Sequence, residues 1–341
     1  MFKIAIVGAS SLVGKELKEA LSESALAAAR FVLLDEDDSL GQLDQVGDEV
    51  TFLQPIGEDA FDRMDFVFFC GSEDLTRKHW RQALRAGATV LDLSGALDQE
   101  TGVLVRAPWL RSEVIAADLF TPAVVPAHPA ALALGLLMER LQQVAPIQFA
   151  GATVLEPASE FGSAALDELH QQTVSLLSFQ GLPRAIYDAQ AAYNVLAGMG
   201  ENAKVDLRTV EARIRRHYAV LSGGRWPAMA LQVVLAPVFH GHTFSIFIEL
   251  ERSVEVAALE EALSGDHVDL VLEDTDSPSN LAATGQSDVL VRLRPEPSGR
   301  NVNQTSRFWL WAASDNLRFH AQNAVACALD LRRLRPQGTV Q

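Results

Sequence analysis

KIAIVGASSLVG, residues Lys3–Gly14, is a short apolar run that ends in a glycine turn and passes straight into a helix-like segment. The run from Ile4 to Val7 has no polar member, which suits a strand covered on both faces rather than one that shows a side to water. The turn that follows is Gly8-Ala9-Ser10-Ser11-Leu12-Val13-Gly14. Between a strand and a helix, such a turn leaves backbone N–H groups at the helix N-terminus, where they and the helix dipole suit a pyrophosphate. These residues are therefore the expected cofactor-binding turn. A tight strand-to-helix turn also needs glycine for packing alone, so the stretch specifies a βαβ unit more firmly than it specifies a ligand.

Working outward, runs of the same kind recur at Phe31–Leu34, Phe66–Phe69 and Thr89–Leu93, with helix-like segments between them. That alternation predicts βαβ units feeding a buried parallel sheet. One crossover is sharply punctuated: Ser72 as N-cap, Glu73 and Asp74 in the first turn and Gly87 after the last basic turn predict a helix from about Glu73 to Ala86. The second half has longer alternating runs at Ala228–Pro237, Thr243–Glu251, Asp288–Leu293 and Phe308–Ala312, and helical patterns at Gly162–Phe179 and Leu317–Arg335. Such a texture predicts an α+β domain with a mixed or antiparallel sheet.

Composition narrows the partners. A chain of 341 residues that is 48% hydrophobic can fill two cores. Asp and Glu outnumber Lys and Arg by 44 to 28, a net charge of −16, which disfavours nucleic acid and anionic membrane surfaces. Cys70 and Cys327 offer neither a disulfide framework nor a zinc spacing, and no metal site is expected. Nothing around Met1–Lys3 reads as a signal peptide and no apolar run reaches the roughly 18 residues of a membrane span, so the cytoplasm is the expected compartment.

VVPAHPAALALGL, Val124–Leu136, resembles in position and pattern the N-P-N-C-S-T segment of aspartate-semialdehyde dehydrogenases, whose Cys is the nucleophile that forms the thioester. With Pro129 on the family's Pro, His128 takes the place of the first Asn, Ala130 that of the second and Ala131 that of the Cys. A methyl group cannot attack a carbonyl. PVFHGHT, Pro237–Thr243, is similar to P-V-x-x-G-H-S, which places the family's general acid/base at His242; with no nucleophile to serve, it is either vestigial or a packed, hydrogen-bonded residue. Seven residues earlier the family's carboxylate-binding Arg is Leu235. The phosphate-binding Arg of S-[SG]-A-F-R is Asp98 in Ser94–Asp98, and Y-Q-A-V-S-G-A-G reads Leu155–Gly162, with Glu156 for the Gln and Glu160 for the glycine after the Ser. Asp315–Val325 resembles D-N-L-R-K-G-A-A-x-N-A-V, one residue short and with His320 for the glycine.

The cofactor positions depart in the same direction. The family's turn is similar to G-A-T-G-x-V-G, so its middle glycine is Ser11, whose Cβ is expected to crowd a pyrophosphate. The basic loop that holds the 2′-phosphate of NADP corresponds to Asp35-Glu36-Asp37-Asp38-Ser39-Leu40-Gly41-Gln42. It is either a solvated acidic turn or one in which Asp35 takes the ribose hydroxyls of NAD. Asp35, Glu36, Asp37 and Asp38 disfavour NADP in both cases, so the expected cofactor is NAD or none. Cys70 falls where the family has F-S-A-G and reads as a small buried residue rather than a replacement nucleophile.

The resemblance covers nearly the whole chain and is strongest to the Usg-type paralogues, which lack the catalytic Cys. It implies a Rossmann-like doubly wound domain over residues 1–126 and 318–341, an α+β dimerisation domain with a mixed sheet over 127–317, and a homodimer whose ligand or protein partner is unknown. Two functions are open. One is a catalytically silent binding or regulatory dimer; the other is an NAD(P)-dependent oxidoreductase on a small aldehyde, oxo or other substrate, with His242 as acid/base and no thioester. Ordinary aspartate-semialdehyde dehydrogenase activity is chemically disfavoured by Ala131.

Overall fold

A computed structural model describes residues 2–36, 41–47, 49–110, 121, 123–272, 275–296 and 303–334. The chain forms two compact units, Met1–Ala127 with His320–Gln341, and His128–Phe319.

In the first unit β1 (Lys3–Val7), α1 (Leu12–Ser22), β2 (Arg30–Asp35), the hairpin β3 (Leu43–Val46) and β4 (Glu49–Phe52), β5 (Gln54–Pro55), β6 (Phe66–Phe69), α2 (Glu73–Arg85), β7 (Thr89–Asp92), β8 (Leu104–Arg106) and β9 (Ala123–Pro126) follow in order. Seven strands form one sheet, β5-β2-β1-β6-β7-β9-β8, with every pair parallel. The continuous apolar run of β1 is explained by cover on both faces. Ile4 and Ile6 lie in one core cluster with Leu17 and Leu21 of α1 and with Ala324 and Ala328 near the C-terminus. Ala5 and Val7, on the opposite face, join Leu75, Trp80 and Ala83 of α2. Arg106, 5% exposed, is neutralised by Asp330.

The second unit begins with α3 (Pro129–Val144) and β10 (Ile147–Glu156), a short 3₁₀ turn (Ala158–Phe161), α4 (Ser163–Leu177) and α5 (Leu207–Ser222). It continues with β11 (Ala230–Leu235), β12 (His242–Glu255), α6 (Val256–Leu263), β13 (Val268–Leu270), α7 (Asn280–Ala283), β14 (Val289–Pro295) and β15 (Gln304–Ser314); α8 (Asn316–Leu334) returns to the first unit. Its sheet runs β11-β10-β12-β15-β14-β13. The outer pairs are parallel and the inner ones antiparallel, so the sheet is mixed, as the alternating runs predict. Phe244, Ile246, Ile248, Phe308 and Leu310 are buried on one face, while Phe247 and Trp309 stack 5.1 Å apart on the other.

Several element limits differ from the sequence reading. β15 reaches back to Gln304 because Thr305 and Arg307 keep pairing with β12 despite their polarity. β11, Ala230–Leu235, is shorter than its apolar run at both ends; at the C-terminal end Pro237 has no N–H for the ladder. α5 is unanticipated: its arginines mask a buried stripe of Leu207, Ile214, His217, Tyr218 and Leu221, although Asp206 caps one end and left-handed Gly223 the other.

Candidate functional site

In the first unit the glycine turn is built for close approach. Gly8 has φ +76°, and a Cβ there would meet the Gly71 Cα at 2.4 Å; one on Gly14 would meet the Gly8 carbonyl oxygen at 2.6 Å. Ser11 is the N-cap of α1 with an ordinary extended backbone. Its hydroxyl accepts from Gly14 N at 3.0 Å and donates to the Cys70 carbonyl at 2.8 Å. Asp35 is 8% exposed; it accepts from Ser10 N at 2.8 Å and Glu36 N at 2.9 Å. Two turn amides suited to a pyrophosphate are thus bonded within the protein. Glu36 is exposed, whereas Asp37 and Asp38 lie outside the described residues.

Nearby, Asp92 ends β7 and accepts from Ser94 N, Ser94 Oγ and Leu97 N. Burial raises its carboxyl to about 6, against those hydrogen bonds and with help from the charge of Asp98. Burial likewise pushes the Cys70 thiol well up, with Asp92 adding to it, so Cys70 is no thiolate nucleophile.

The second unit holds the denser cluster. His128 is the N-cap of α3: its Nδ1 accepts from Ala130 N at 3.2 Å, and Pro129 starts the helix without an N–H to satisfy. The backbone N–H of His128 donates to His217 Nδ1 at 2.9 Å. Ala131, the third residue of the helix, is 0% exposed and presents only a methyl.

Leu155 pairs with Thr243 across β10 and β12, which brings Glu156 beside His242. Their Nε2···Oε1 distance is 2.9 Å, and both side chains are wholly buried. His128 Nε2 lies 2.9 Å from Glu160 Oε1, His242 Nε2 lies 3.8 Å from Glu160 Oε2, and the two imidazole rings are 5.8 Å apart. Burial pulls the His242 pKa down, but the Glu156 charge and hydrogen bond, with Glu160 and Asp315, outweigh it and leave it raised. Leu235 is buried and fixed by two backbone bonds to Leu196; nothing on it can clamp a carboxylate.

His128, Glu156, Glu160 and His242 stand in separate motifs of the sequence, and the structure brings them together. It also adds Asn316, whose Oδ1 accepts from Ser159 Oγ and Gly241 N while Nδ2 donates to Glu160. The D-N-L-R pattern was the available signal for it. One ligand atom each from His128, Glu156 and Glu160 lie within 4.8 Å of one another, a group able to hold a cation. Cysteine spacing could not reveal it, because no cysteine takes part.

A two-unit chain with a parallel nucleotide-type sheet and a mixed second sheet has clear relatives. Residues 3–120 match the semialdehyde dehydrogenase NAD binding domain and residues 138–319 the semialdehyde dehydrogenase dimerisation domain. The chain belongs to the semialdehyde dehydrogenase family. Within it, a USG-1 protein homolog from Azotobacter vinelandii is 30% identical over 335 residues, 95% of this chain and 96% of that protein. An aspartate-semialdehyde dehydrogenase from Rickettsia conorii is 24% identical over 97% of each. The solved structure of aspartate semialdehyde dehydrogenase II from Vibrio cholerae, complexed with ASA, superposes with a TM-score of 0.85 at 23% identity over 98% of both chains, a likeness of fold. Among the described residues no helix is long and apolar enough to cross a membrane.

Proposed function

We propose that this chain is a catalytically silent member of its family, a homodimer that binds a ligand or partner and forms no thioester. The observation that carries the reading is Ala131, buried in the first turn of α3 at the position the resemblance gives to the nucleophile. Its surroundings support it. His242, the acid/base position, is already paired with Glu156. The two positions for anion-binding arginines are Leu235 and Asp98, and each lost charge-assisted contact removes roughly 1.5–3 kcal/mol. Of the nicotinamide cofactors NAD is the better fit, because Glu36 and the carboxylates at 37 and 38 oppose a 2′-phosphate.

The Ala131→Cys chain tests the reading. A thiol at a helix N-terminus is favoured by the dipole, but at this buried position, with no group to hold the substrate, no phosphate-dependent reduction of NADP is expected. Turnover requires Leu235→Arg, Asp98→Arg and Glu156→Gln as well, since positioning supplies several kcal/mol of barrier reduction. Robust turnover from Ala131→Cys alone defeats the reading. A second function, an NAD-linked oxidoreductase with His242 as proton donor, is favoured by the raised pKa of that imidazole. It demands saturable NAD binding, which a titration decides.

A further inference from the structure

His128, Glu156 and Glu160 come from three separate segments, the cap of α3, the end of β10 and the 3₁₀ turn. At each place the family pattern has a residue of another kind: Asn, Gln and Gly. Together the changes put one imidazole and two carboxylates into a cluster where His128 is 3%, Glu156 0% and Glu160 16% exposed. Burying charged oxygens in this way is costly unless a cation or protons balance them.

Two details point past simple ion pairing. His128 Nε2 sits 2.9 Å from Glu160 Oε1, yet it has no partner that meets hydrogen-bond geometry among the described residues. Atoms that share a proton face each other; atoms that share an ion face a common third point. Glu156 gives Oε1 to His242 at 2.9 Å, while its buried Oε2 has no hydrogen-bond partner among the described residues. A donor that fixes one carboxylate oxygen orients the other for ligation.

We propose that His128 Nε2, Glu156 Oε2 and Glu160 Oε1 hold a divalent first-row transition-metal ion, with His242 orienting Glu156. A mixed imidazole–carboxylate set suits zinc, iron(II) or manganese. Ligands about 2.0–2.2 Å from zinc in a tetrahedron lie about 3.3–3.6 Å apart; one ligand atom from each of the three residues lies within 4.8 Å of the others, a gap that side-chain rotation closes. Two carboxylates, a dication and a neutral imidazole leave the site uncharged. Coordination at Nε2 moves the ring proton to Nδ1 and gives up the 3.2 Å bond from Ala130. That single long cap bond is weaker than the metal–ligand bonds gained. The site does not depend on whether the chain turns over, so it stands apart from the silent-enzyme reading.

The test uses the full chain, stripped with a chelator and titrated with zinc against a chromophoric competitor, then with cobalt(II). One ion per chain is expected, with cobalt(II) giving visible ligand-field bands. Glu156→Gln and His128→Ala should each weaken zinc by more than the roughly 10–100-fold that outer-shell changes cost, and His170→Ala, an exposed control on α4, should leave it unchanged. The amide resonance of Ala130 should shift on loading. A native chain that takes up neither ion overturns the site, as does full zinc affinity in folded Glu156→Gln and His128→Ala chains. If those variants do not fold, the cobalt(II) spectrum of the native chain decides. An inactive but metal-loaded chain leaves the proposal intact, and an active metal-free chain refutes only the silent-enzyme reading.

Discussion

At Ser11 and Asp35 a few polar atoms govern whether the glycine turn can still serve a nucleotide. Ser11 Oγ occupies Gly14 N and Asp35 Oδ2 occupies Ser10 N. A pyrophosphate must displace both, and a 2′-phosphate, carrying about −1.5 to −2 charge, must also face the acidic loop. NADP should therefore bind more weakly than NAD by at least about tenfold, ~1.4 kcal/mol; equal affinities by calorimetry would mean that the loop points away from the ribose. Asp92 carries the pH signature of the same unit. Its folded value of about 6 lies above the ordinary 3.8, so the folded state binds the proton more tightly. Stability is greatest below the ordinary value and falls as pH rises from about 4 to about 6. Asp92→Asn should flatten that part of a urea-midpoint profile, and an unchanged slope would place the titration elsewhere. Residue identities at 131, 235 and 98 were legible from the sequence. Hydrogen bonds spent internally were not, because Ser10 and Asp35, or His242 and Glu156, are neighbours only through the fold.

The element that bears most of the chemistry is the start of α3. Here His128 does with Nδ1 what Ser or Asp does at most N-caps. In metal-free protein His128→Ala should cost about 0.5–2 kcal/mol for the lost cap, while Glu160 keeps the hydrogen bond from Asn316 Nδ2; His128→Asp should recover the cap. A thermal shift below about 1 °C for His128→Ala would show that the cap bond contributes nothing. Elements were read well where periodicity was clean, as in β1 and in α2, whose cap at Ser72 and acidic first turn are those the sequence signals. α5 escaped because its polar residues outnumber the buried stripe, and with it went His217, which holds the His128 backbone.

On the scale of the whole molecule, the two sheets divide the labour: a buried parallel one for a nucleotide-type turn, and a mixed one with aromatic residues on its less covered face. Phe149 and Trp311 there are 45% and 38% exposed, beside the Phe247–Trp309 stack, an arrangement suited to a partner copy. Sedimentation should give a dimer at micromolar concentration, and Trp309→Asp should give monomers; a native monomer contradicts the assembly. The silent-enzyme proposal follows from Ala131, whose methyl cannot form a thioester. Its most direct measurement is the rate of NAD or NADP reduction by the purified native chain with aspartate semialdehyde and phosphate. No rate above the protein-free blank is expected, since removing the nucleophile of a serine protease costs on the order of 10⁶ in kcat. A phosphate-dependent rate that survives purification and disappears in His242→Ala would contradict it.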